Sequence, residues 1–109
     1  MKKLIAIAAL MCGTAHAEFF SGNELLSRLN SESTYDRGVA MGYVIGVHDT
    51  GRGAVHCSPE AATGGQVRDI VKASLEASPE LRHLSADSLI GHTLKKVWPC
   101  PKKTGGASL

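Results

Sequence analysis

The sequence predicts an all-α fold: a small bundle of four to five helices stapled by one disulfide. Three observations lead there. Two capping boxes, Ser21-Gly22-Asn23-Glu24 and Thr63-Gly64-Gly65-Gln66, each run into apolar residues at helical spacing. No two alternating apolar segments are joined by a hairpin turn. Two cysteines, Cys57 and Cys100, remain once an export signal is removed.

That signal comes first in the chain. Lys2 and Lys3 form a basic start, Leu4 to Met11 is an apolar core, and Ala15-His16-Ala17 is a small-x-small cleavage site. The apolar core falls well short of the roughly 20 residues needed to cross a bilayer. Residues 1–17 therefore read as a cleaved signal peptide, with Glu18 as the new N-terminus and the periplasm as destination. Cys12 raises lipoprotein processing, but Leu10 and Met11 before it match poorly the small residues such processing prefers. No membrane attachment is expected after cleavage.

The formal net charge of +2 belongs to Lys2 and Lys3, and the remaining chain carries as many acids as bases. With no net positive field and only five aromatic residues, it lacks the footprint of a nucleic-acid binder. The charges are still unevenly placed. Four acids and one Arg lie between Glu18 and Asp36, while Lys95, Lys96, Lys102 and Lys103 make a basic end.

In an oxidising compartment Cys57 and Cys100 are expected to pair. Closing so long a loop stabilises a fold by roughly 4 kcal/mol in the chain-entropy model, and a domain this small buries too little core to do without such help. The alternative, a free catalytic thiol at Cys57 beside His56 and near His48, is disfavoured. Adjacent residues rarely face one another, and an exported thiol is readily oxidised.

The elements follow in order. The Ser21 capping box opens a helix over about 22–30, with Leu25, Leu26 and Leu29 on one side. Ser31 to Thr34 is polar and loop-like. Tyr35 to about Asp49, with Val39, Tyr43, Val44 and Val47, is a second helix or a strand. The Thr63 box starts a third helix that places Val67, Ile70, Val71 and Leu75 on one stripe. Ser78-Pro79-Glu80 puts Pro at a first helical position and predicts a further helical turn. Ser85 caps a last helix with Leu89, Ile90, Leu94 and Val97 inward, ended by Pro99; residues 101–109 read as a disordered tail.

The stretch Gly42-Tyr43-Val44-Ile45-Gly46-Val47 allows two structures. β-Branched Val44, Ile45 and Val47 suit a strand, and each glycine weakens a helix by about 1 kcal/mol relative to Ala. The spacing of Gly38, Gly42 and Gly46 favours helix. Glycines four apart make a smooth stripe against which another helix can approach closely, so these three and Tyr43 are expected to pack helices together. A phosphate loop is excluded because Gly51-Arg52-Gly53 is followed by no suitably placed Lys. A membrane helix is excluded by the shortness of the run between Arg37 and Asp49.

These residues also carry a resemblance. The ordered series Asn23-Glu24-Leu25-Leu26, Gly42 to Val47, Cys57-Ser58-Pro59, Gln66-Val67-x-Asp69-Ile70-Val71, Pro79-Glu80-Leu81-Arg82 and Trp98-Pro99-Cys100 resembles the Rap/Tai family of immunity proteins. The resemblance implies a small periplasmic helical domain over 18–100 that protects a bacterium from peptidoglycan amidases injected through a type VI secretion system. It implies inhibition by binding, with the amidase's Cys-His cleft plugged, and a homodimer. The family pattern often carries cysteines where this chain has Leu29-Asn30 and Ala40-Met41. Losing both together is what losing one whole disulfide would look like.

For an inhibitor, the segment from His48 to His56 is the candidate contact, presenting His48, Asp49, Thr50, Gly51, Arg52 and Gly53 between a packed helix and Cys57. No metal site is expected. His48 and His56 lack ligand spacing, and His83 and His92 are nine apart. No cofactor motif is present, and neither a catalytic triad nor paired carboxylates can be read from the sequence, so the chain is not expected to be an enzyme. A competing reading is an acid-activated periplasmic chaperone, since four histidines outside the signal would protonate in mild acid. Another is a family member with no toxin of its own.

Overall fold

The computed structural model describes residues 20–102, so the predicted export signal and all of the tail beyond Lys102 lie outside the described residues. Four α-helices follow in order: α1 (Gly22–Leu29), α2 (Thr34–Gly51), α3 (Gly64–Ala77) and α4 (Ala86–Val97). Among the described residues one 3-10 turn is present, at Pro79–Leu81. The described residues contain no strand, only two isolated bridges, Ser21 with Ser85 and Arg52 with His56.

Ser21 and Thr63 cap their helices as the sequence implies, through the side-chain half of each box. Ser21 Oγ accepts from the Glu24 backbone N–H at 3.2 Å and Thr63 Oγ1 from that of Gln66 at 3.1 Å. Each satisfies an amide that the first turn leaves without a partner. Ser33 does the same for α2, accepting from Asp36 at 3.3 Å, so the helix starts inside the segment that reads as loop. Ser85 instead directs its hydroxyl to the Asp87 carboxylate, and the Ala86 amide is satisfied by Phe20 O at 2.7 Å. With Gly22 N to Leu84 O and Asn23 N to Arg82 O, this stitches the start of α1 to the start of α4.

The core is one cluster drawn from all four helices: Leu25, Leu26 and Leu29; Ala40 and Val44; Val67, Val71 and Leu75; Ala86, Ile90 and Leu94. Helix α2 packs against each of the other three. On α4 the inward stripe runs Ala86, Ile90, Leu94 and ends on the half-buried Trp98, which takes the position expected of Val97; Val97 is 44% exposed.

The helix–strand ambiguity at 35–49 resolves as helix. Ala40, Val44, His48 and Gly51 are buried, a spacing that only a helical repeat turns to one side. The same geometry overturns the expected glycine packing. Gly38, Gly42 and Gly46 lie about 200° around α2 from Ala40, Val44 and His48, at about 100° per residue. All three are exposed, and a Cβ on any of them would meet nothing within 4 Å. Tyr43 does pack: it is half-buried against the core, its ring 5.0 Å from that of Phe20, over which the Arg28 guanidinium sits at 4.9 Å.

The close approach occurs at Gly22, where a Cβ would stand 2.6 Å from Leu89 Cδ1 and 3.0 Å from Arg82 O. Opposite outcomes are therefore expected for two kinds of glycine replacement. Gly42→Ala and Gly46→Ala should each stabilise by up to about 1 kcal/mol through helix propensity. Gly22→Ala should destabilise by about 1 to 3 kcal/mol through overpacking. Thermal melts of the three variants check the pair of claims, and a loss of stability at Gly42 would restore the close-crossing idea.

Candidate functional site

Helix α2 continues past the expected boundary near Asp49, so the candidate contact segment begins as its last turn. His48 and Gly51 are buried and present nothing outward, which removes them from the contact set. Asp49, Thr50, Arg52 and Gly53 are exposed, joined by Ala54 and Val55, which lie inside the expected segment but outside its named contact residues. Thr50 Oγ1 donates to Gly46 O at 2.8 Å, closing the helix side. The chain then reverses tightly. Gly51 O accepts from the amides of Ala54 and Val55 at 3.0 and 2.7 Å, and Gly53 N donates to His56 O at 2.7 Å. Gly53 has φ of 87°, the left-handed region that a side chain disfavours.

Behind this ridge lies a buried polar network. His48 Nδ1 meets Asp49 Oδ1 at 2.9 Å and His48 Nε2 meets Ser58 Oγ at 2.8 Å. An ionised carboxylate only accepts, so whenever the ring is neutral its proton is on Nδ1, Nε2 accepts, and the Ser58 hydroxyl donates. His56 Nδ1 accepts from the Ser58 amide at 3.3 Å; its proton is therefore on Nε2, which donates to His48 O at 2.9 Å. The two imidazoles lie 4.8 Å apart, and Arg52 Nε donates to Ser58 O at 3.2 Å. Each buried side-chain polar atom of this turn thereby has a partner, as burial requires.

The far end of the ridge is fixed covalently. Cys57 and Cys100 form the expected disulfide, with Cα atoms 4.8 Å apart, and Cys57 N donates to Trp98 O at 2.8 Å. The ridge is thus tied at one end to α2 and at the other to the end of α4.

Two concavities flank it. An apolar groove of about 530 Å³ runs between α2 and α4, floored in part by Gly42, Gly46, Gly91 and Leu94 and rimmed by Val55. Burial, and then the carboxylate of Asp87 at the same groove, push the Tyr43 phenol above its ordinary 10.0, partly offset by a hydrogen bond to the Asp87 backbone; the phenol therefore stays neutral. On the other side a cleft of about 470 Å³ is lined by Asp49, Arg52, Gly53, Cys57 and Ser58. Among the described residues no group of three or more His, Cys, Asp or Glu side chains could hold a metal ion. No helix among them is long and apolar enough to cross a membrane.

The family model of Rap1a immunity proteins matches residues 21–100, which takes in all four described helices, the ridge and both cysteines of the disulfide. The chain belongs to the Rap1a immunity protein family. Comparison with curated proteins returns no match. Membership in the Rap1a family suggests an effector-immunity role and implies binding of a cognate effector protein. In this Rap1a member the exposed part of the ridge is short and anchored at both ends, by α2 and by the Cys57–Cys100 disulfide.

Proposed function

We propose that this chain is a periplasmic immunity protein that neutralises a peptidoglycan amidase effector of a type VI secretion system by occupying the amidase's Cys-His cleft. The observation that carries the reading is the Rap1a match across the whole helical domain, residues 21–100. The predicted signal peptide at 1–17 delivers the chain to the compartment where such an amidase acts. The ridge supports plugging as the mode of inhibition: Asp49, Thr50, Arg52, Gly53 and Val55 stand exposed on a backbone held by the disulfide and the histidine network. Neutralisation by occupancy needs no turnover, no metal and no cofactor. The resemblance further supports a homodimer as the working form.

The test pairs the cleaved protein with candidate type VI peptidoglycan amidase effectors and measures binding by calorimetry and inhibition of peptidoglycan hydrolysis. Arg52→Ala and Val55→Asp are expected to weaken inhibition by tenfold or more, an anchor-residue effect of about 1.4 kcal/mol or above, with the melting temperature of Val55→Asp unchanged and that of Arg52→Ala lowered only by the lost bond to Ser58 O. Unchanged inhibition in both variants would remove the ridge from the interface. Suppression of client aggregation in acid, with no amidase binding, would replace the immunity reading by the chaperone one.

A further inference from the structure

Asp49, His48 and Ser58 stand in the order carboxylate, imidazole, hydroxyl, with links of 2.9 and 2.8 Å. The tautomer derived above gives the chain its direction: Asp49 holds the proton on Nδ1, and the lone pair of Nε2 faces the Ser58 O–H. That is the arrangement in which an imidazole acts as general base toward a serine. Nothing in the family's binding role uses it. Ser58 also lines the 470 Å³ cleft, on whose wall the Arg52 guanidinium is held by its bond to Ser58 O.

We infer that Ser58 is a His48-activated nucleophile that accepts an acyl group from a small ester entering this cleft. In the step, Ser58 Oγ forms a bond to the ester carbonyl carbon while its proton passes to His48 Nε2. The bond between that carbon and the leaving oxygen breaks, and His48 returns the proton to the departing alcohol. The products are acyl-Ser58 and a free alcohol, with no external oxidant or reductant required. Arg52 supplies positive charge beside the carbonyl oxygen as it becomes negative. His48 and Ser58 touch the reacting atoms, whereas Asp49 is a positioning residue that acts through His48.

The test uses the cleaved, disulfide-bonded protein alone with p-nitrophenyl acetate, so its failure is separable from any failure of amidase binding. Acetylation of the Ser58 peptide is expected by mass spectrometry, with a matching release of p-nitrophenol that is absent in Ser58→Ala. His48→Gln and Asp49→Asn are expected to slow acetylation roughly a hundredfold. The Asp49 side chain is 69% exposed, so Asp49→Asn should keep the native melting transition and carries the comparison should His48→Gln unfold. A structural role alone would leave the pH dependence of the rate unmoved; the inference requires Asp49→Asn to shift it, because the carboxylate no longer stabilises the imidazolium formed in the step. Acetyl groups on lysines only, or an equal rate at Ser58 in Asp49→Asn, would overturn the inference.

Discussion

Replacing Cys57 and Cys100 together with alanine is expected to cost about 4 kcal/mol of stability, the chain-entropy value for a loop of this length. The two residues are 43 apart in sequence, and their bond is what joins the ridge to the end of α4. For a domain of this size the melting temperature should fall by roughly 15 °C or more. The single backbone bond from Cys57 N to Trp98 O would remain, but it closes no covalent loop. Chemical denaturation of the oxidised protein, the reduced protein and the double variant checks the claim. Matching midpoints for all three would show that the helical core suffices without the staple.

His56→Ala is expected to cost a further-reaching 3 to 5 kcal/mol, comparable to truncating a large core side chain. His56 is 1% exposed and ranks among the largest fully buried side chains, beside Leu25, Ile90 and Leu94. Its removal leaves a cavity beneath the ridge and strips the Ser58 amide of its acceptor, a penalty of about 1 to 3 kcal/mol for a buried donor. His56→Phe separates the two effects, since it leaves no cavity, its ring being somewhat larger than imidazole, while removing both hydrogen bonds. It is expected to cost less than His56→Ala. Equal losses in denaturant titrations of the two variants would show that the hydrogen bonds, and not the packing, hold the turn.

Most of the helical framework was legible because its signals are local. The boxes at Ser21 and Thr63 cap through bonds between residues three apart, and the stripe Val67, Val71, Leu75 needs only the helical repeat to become a buried face. Pro79 marks its 3-10 turn by its ring alone. Reading α2 was harder, because glycines and β-branched residues push its propensity both ways, and it forms as a helix through packing on three neighbours. The glycine stripe shows where pattern reasoning fails: spacing says that Gly38, Gly42 and Gly46 share a face, but not whether that face turns inward. Ala40, Val44 and His48 win the interior because they carry side chains to bury.

The candidate contact segment is proposed from its glycines and its place before Cys57, while which of its residues are exposed was decided by the fold. His48 and Gly51 went inside, and Val55 came out. Ser58 carried no signal of its own, since it lies ten residues from His48 and nothing in the linear order brings a hydroxyl to an imidazole.

By itself the sequence determined the helical class, the capped starts of α1 and α3, the pairing of Cys57 with Cys100 and the family resemblance, because each depends on neighbours along the chain or on a count. Only the tertiary structure decided which face of α2 is core, where two backbones come close at Gly22, and how Asp49, His48, Ser58 and His56 join in one network. Those outcomes depend on the direction in which each helix face points once four helices compete for a single interior, and that competition exists only in three dimensions.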